Sequence, residues 1–143
     1  MPSDRSRDRR MNIVLWTVQI ILTLLFLFAG GAKLAMSMDA LAKAVPLPAT
    51  FMKFIAICEV LGALGLLLPG LTGIATYLTP LAASGLTIIV VGATVVTIAT
   101  LGVAPAVLPF VATLLAAFVA YGRWRRMPLR KRPEVPPLQG EAV

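Results

Sequence analysis

The chain is 143 residues long, carries a net charge of +7, and is 59% apolar and only 13% charged. Soluble globular chains run at roughly 45–50% apolar and 25% charged. It contains no histidine and a single cysteine. Histidine-ligated haem or zinc, histidine-based triads, an internal disulfide and any multi-cysteine metal centre are therefore excluded, and no cofactor is predicted except that a quinone stays open.

The placement of charge decides the class. Between Lys53 and Arg123 the only carboxylate or basic residue is Glu59. A soluble domain needs a polar face on most of its helices, whereas a lipid-facing surface needs none. The basic residues collect at the two ends: Arg5, Arg7, Arg9 and Arg10, then Arg123, Arg125, Arg126, Arg130, Lys131 and Arg132. Such clusters flanking apolar runs are drawn to anionic headgroups. Lipid, not nucleic acid, is the partner this pattern predicts.

In chain order, residues 1–10 read as a basic, disordered tail. The transmembrane domain covers 11–124, with spans at about 11–34, 51–71, 76–101 and 103–122. A helix of ~20 residues crosses a hydrocarbon core about 30 Å thick, so the stretch from Phe51 to Tyr121 must reverse twice. The clusters Pro69-Gly70 with Gly73, and Gly102 with Pro105, are where it can turn. Between the first two spans Leu34, Met38, Leu41 and Val45 share a face, and Asp39 and Lys43 are expected to pair at i, i+4, which predicts a short surface helix stopped by Pro46 and Pro48. It sits where it would lid the bundle above Glu59. The tail 125–143 is basic and rich in proline.

These runs predict an all-α, four-helix transmembrane bundle, since backbone groups in lipid must be satisfied within each span. Cytoplasmic flanks are enriched in Lys and Arg, and both termini carry the clusters, whereas the opposite side has only Lys33, Lys43 and Lys53. Both termini are accordingly expected in the cytoplasm, as an even number of spans requires. The first apolar run, Ile13 to Ala32, exceeds the roughly 7–15 residues of a cleaved leader, so it is expected to be retained.

Glu59 is the sharpest candidate for function. An acid within a span normally faces the bundle interior or a polar cavity. Lys33 closes the first span on the same side. Three readings stand: a Lys33–Glu59 pair ordering two helices, a proton or cation site, or a ligand site for a quinone. On the first span Asn12, Trp16, Gln19, Thr23, Phe26, Gly30 and Lys33 follow one another at steps of four and three, one side of a helix. Thr76, Pro80, Ala83, Thr87, Val90, Thr94 and Thr97 form a similar line on the third. Gln19, Thr23, Thr87, Thr94 and Thr97 are therefore expected in the bundle interior, where hydroxyls commonly bond backbone carbonyls. Ala112, Ala116 and Ala120 form a ridge suited to close packing, within the bundle or against a second copy. Gly62 and Ala63, one turn beyond Glu59, would let another backbone approach. Cys58 is expected to be an inert buried thiol. No catalytic or metal-binding residue is predicted.

The segments Phe26-Leu27-Phe28-Ala29-Gly30-Gly31-Ala32-Lys33-Leu34 and Glu59-Val60-Leu61-Gly62-Ala63-Leu64-Gly65-Leu66-Leu67-Leu68-Pro69 resemble DoxX-type signatures. Leu78-Thr79-Pro80-Leu81-Ala82-Ala83, the pair Gly92-Ala93, and Phe118-Val119-Ala120-Tyr121-Gly122-Arg123-Trp124 extend the likeness over Met11–Trp124. The resemblance implies a four-helix protein of the bacterial inner membrane. Some members are linked to quinol-oxidising or thiol-oxidative-stress complexes, which implies a redox-partner role without catalytic residues of its own. The alternatives are a small ion-coupled transporter using Glu59, or a quinone-binding oxidoreductase. Relatives often carry a histidine near the end of the third span, where this chain has Thr97, so chemistry that depends on that imidazole is not expected here.

Overall fold

The computed structural model describes residues 2–126 and 128–130, which contain helices and turns and no strand. The elements are α1 (Pro2–Ala35), α2 (Met38–Ala44), α3 (Ala49–Thr72), α4 (Leu78–Leu101) and α5 (Val103–Tyr121), closed by a wide π-helical turn at Gly122–Arg126. Four helices are long and apolar enough to cross a membrane, those beginning at Arg5, Ala49, Leu78 and Val103. They pack in a ring in which α1 lies against α3, α3 against α4, α4 against α5, and α5 returns to α1.

The interior is built from the inward stripes of all four. Leu22 and Phe26 meet Ala63 and Leu66, Ala83, Leu86 and Val90, and Ala112, Ala116 and Val119. The alanine ridge of α5 is therefore used inside the bundle. Leu24, Phe28, Leu61 and Ile88 point outward and lie largely exposed. An all-round apolar helix of this kind suits a bilayer, where the outer face needs no water.

Close contact between α1 and α3 depends on Gly30, where a Cβ would stand 2.9 Å from the Ala56 carbonyl oxygen and 2.9 Å from Val60 Cγ2. Between α4 and α5 the link is the single residue Gly102, whose φ of 92° and ψ of −176° suit only glycine. At the α3–α4 turn Gly73 takes the left-handed cap position and donates its N–H to the Pro69 carbonyl.

Three sequence expectations need correction. Residues 2–10 continue α1 as helix instead of forming a disordered tail; extending a helix already nucleated by a membrane span costs far less than starting one. The turn after α3 does not begin at Pro69-Gly70. The helix runs through both to Thr72, because a proline removes one donor and kinks a helix without ending it where packing holds the next turn. The short helix α2 is present, capped by the Ser37 hydroxyl, which accepts the Ala40 N–H, and anchored by buried Leu41. Asp39 and Lys43 on it are both exposed, and among the described residues they close no ion pair. Beyond Arg130 the expected basic, proline-rich tail lies outside the described residues.

Candidate functional site: two polar centres and their cavities

The polar line of α1 faces inward as its spacing predicts, with Gln19, Thr23, Phe26 and Gly30 buried and Asn12, Trp16 and Lys33 half-buried. It ends in a charged centre at each end of the bundle.

The first centre is Lys33 and Glu59. Lys33 Nζ donates to both carboxylate oxygens, at 2.6 and 2.8 Å. Glu59 is 4% exposed, so its charge is held away from the lipid while the lysine stem keeps partial access to the surroundings. The contact follows from Gly30: it lets α3 approach closely enough that a lysine one turn further along α1 reaches down to the acid. Lys53, on the first turns of α3, donates to the Leu34 and Met36 carbonyls at 2.5 and 2.7 Å. It thereby caps the C-terminal end of α1, where carbonyls lack helical partners and attract cations.

Beside this pair lies a cavity of about 430 Å³. Its walls are α3 (Phe51, Met52, Ile55, Cys58) and α4 (Ile88, Ala93, Val96, Thr97, Thr100), with Val45 and Leu47 from the segment after α2 and Lys33 at the polar edge. The segment following α2, more than α2 itself, covers the region predicted for a lid. Cys58 is half-buried on an almost wholly apolar wall. Glu59 does not line the cavity; its lysine does.

The second centre was not legible as a site. Arg123, expected among the headgroup-binding basic residues, is instead 2% exposed. Its Nε donates to Gln19 Oε1 at 2.6 Å and its Nη1 to Asn12 Oδ1 at 2.8 Å, and its guanidinium lies 5.5 Å from the centre of the Trp16 ring. The Gln19 amide then donates to the Leu66 carbonyl at 2.8 Å, where the Thr79 hydroxyl also approaches at 3.5 Å. The signal was present in register: Arg123 stands four and seven residues after Val119 and Ala116, on the buried face of α5.

The threonines divide by partner. Thr23 donates to the Gln19 carbonyl of its own helix at 2.8 Å and lies 3.4 Å from the Ala63 carbonyl of α3. Thr87, Thr94 and Thr97 donate to the Ala83, Val90 and Ala93 carbonyls of their own helix. Their donors are therefore used locally; Thr94 is buried in the bundle, whereas Thr87 and Thr97, expected there too, are half-buried. Gly62, expected to admit a neighbouring backbone, admits the Leu86 side chain of α4 instead. No group of three or more metal-binding side chains occurs among the described residues.

The sequence profile of the DoxX-like family matches residues 17–120, a stretch that includes both members of the Lys33–Glu59 pair and most of the four spans. No curated protein and no solved structure matches the chain.

Proposed function

Since the chain belongs to the DoxX-like family, we propose that it is a non-catalytic subunit or assembly partner of a membrane redox system, holding a quinone-type carrier beside Lys33. The reading places the protein in the bacterial inner membrane with both termini in the cytoplasm, in keeping with the arginine clusters at its two ends. The observation that carries it is the cavity between α3 and α4. Its 430 Å³ falls in the range of about 300–1,000 Å³ typical of small-molecule sites, and it is apolar with few polar groups at one edge.

The chemistry of that edge suits a quinone ring. An ammonium carries three donors, and Glu59 takes two from Lys33, which leaves one for a ligand carbonyl. The Thr97 oxygen, its proton committed to Ala93, can accept from a quinol hydroxyl. Glu59 fixes the lysine and keeps its charge balanced, so it acts as a positioning residue.

Titrating the purified protein with a short-chain ubiquinone by calorimetry tests the reading. Ala93→Leu and Gly92→Leu should abolish binding by filling the cavity, while the fold persists. Absence of binding to the unmodified protein would reject it. Mass spectrometry of proteins co-purified in mild detergent tests the redox partner separately.

Burial of Glu59 within a span favours a second reading, ion-coupled transport. Both of its oxygens already engage Lys33, which weighs against a cation there. Glu59-dependent substrate flux in liposomes would reverse that judgement.

A further inference from the structure

A second cavity, of about 420 Å³, lies at the opposite end of the bundle and takes no part in the quinone reading. Thr76, Pro80 and Leu81 form one wall, and Pro128 and Leu129, beyond the π-helical turn, form another. The chain folds back there, so that the Leu129 side chain stands beside Gly70 of α3. Arg123 also lines the cavity, but its guanidinium is engaged with Gln19 and Asn12, and the remaining lining is mostly apolar. Tyr77 and Trp124 form the rim and are 65% and 63% exposed. The Tyr77 hydroxyl and the Trp124 indole N–H donate to no other described residue.

We propose that this cavity is the docking groove for the chain's own segment Pro133–Leu138, Pro-Glu-Val-Pro-Pro-Leu. Prolines favour the polyproline II form, a helix of three residues per turn. In that form Pro133 and Pro136 share one side, Val135 and Leu138 share the next, and Glu134 stands on the third. Two sides are thus apolar. Aromatic-lined grooves take such segments because the form is set before binding and little chain entropy is lost. A polyproline II backbone also makes no internal hydrogen bonds, which leaves its carbonyls to accept from Tyr77 and Trp124.

Connectivity selects this segment over one from a partner. Only Arg130, Lys131 and Arg132 separate Leu129, already in the lining, from Pro133. Four residues extended reach about 13 Å, so the segment stays beside the groove at an effective concentration of about millimolar order. Charge agrees. Residues 133–143 include Glu134 and Glu141 and no basic residue. Arg9, Arg10, Arg125, Arg126 and Arg130 gather at this end, because α1 meets the turn after α5 through Asn12 and Arg123. A basic collar of this kind attracts an acidic segment laid across it.

Disulfide trapping in the full chain, reconstituted in nanodiscs, provides the test. In a Cys58→Ala background, Val135→Cys is combined with Leu81→Cys in the cavity wall. The reference combines it with Ile74→Cys, exposed at the same end but outside the lining. Each rate is normalised to the reaction of the same single cysteine with a small maleimide. A bond within one chain should form about tenfold faster to position 81 than to position 74, which corresponds to about 1.4 kcal/mol of docking. Replacing the prolines together, Pro133→Ser with Pro136→Ser and Pro137→Ser, leaves the bundle untouched and should level the two rates. Equal rates in the parent, a preference that survives loss of the prolines, or bonds formed between two chains instead of within one would each overturn the proposal.

Discussion

Lys33 and Glu59 lie 26 residues apart in sequence, yet the lysine ammonium bridges both oxygens of the acid across the α1–α3 seam. Removing either partner strands the other. Fully buried pairs lose about 3–5 kcal/mol on such truncation. Lys33 is 27% exposed, so a loss of about 1–3 kcal/mol is expected for Glu59→Gln and for Lys33→Met. The double variant should recover part of it. Thermal melts of the four proteins in one detergent give the coupling, and simple additivity of the two losses would show that the pair contributes nothing.

Arg123 should not be replaceable by lysine. Its Nε and Nη1 reach Gln19 and Asn12 at the same time, and a single ammonium cannot reproduce that fork. Arg123→Lys and Arg123→Gln are both expected to cost about 2–3 kcal/mol. A cycle with Gln19→Leu should show strong coupling. A lysine variant that melts with the parent would mean that charge alone matters here.

Adjacent glycines should respond in opposite ways. Gly30→Ala forces a methyl against the Ala56 carbonyl oxygen and Val60, so α1 must move off α3 and the ion pair beside it should loosen. Gly31→Ala meets nothing within 4 Å and should be neutral or stabilising by up to about 1 kcal/mol, the helix-propensity gain. Melting temperatures of the two variants check this directly. Equal effects would refute the close approach.

Topology can be read chemically. In a Cys58→Ala background, single cysteines at Ser6 and Arg130 should react with impermeant maleimide only after the cytoplasmic face is opened. A cysteine at Thr50 should react from outside. Labelling of Ser6 and Arg130 from opposite sides would rule out a four-span arrangement.

Much of this architecture was legible because bilayer thickness and backbone satisfaction leave few choices. The spans, the inward lines of α1 and α4, and the proximity of Lys33 to Glu59 all follow from length and helical period. What escaped was set by tertiary contact. Pro69 reads as a stop, yet the turn beyond it is held by packing, with Gly70 against Trp16. Arg123 sits in a run of arginines, and composition cannot tell the one that turns inward from its neighbours. Its register after Ala116 and Val119 points it inward, and the juxtaposition of the turn after α5 with Asn12 and Gln19 supplies its partners. Lys53 likewise looks like a flanking charge until the end of α1 is placed beside it.

The side-chain hydrogen bonds between helices are unevenly shared, and this divides the bundle into a polar half and an apolar half. Nearly all of those between described residues start or end on α1 or its immediate end: Gln19 to Leu66, Thr23 to Ala63, Lys33 to Glu59, Lys53 to Leu34 and Met36, and Arg123 to Gln19 and Asn12. Between α3 and α4 there is one, Thr79 to Leu66, far from the cavity beside Lys33. The α1–α3 pair is thus pinned along its length by polar contacts like a riveted plate, while the α3–α4 seam around the cavity is held by side-chain packing, Leu86 against Gly62 and Ala82 against Gly65, so that the wall beside Lys33 is shaped by apolar contacts alone.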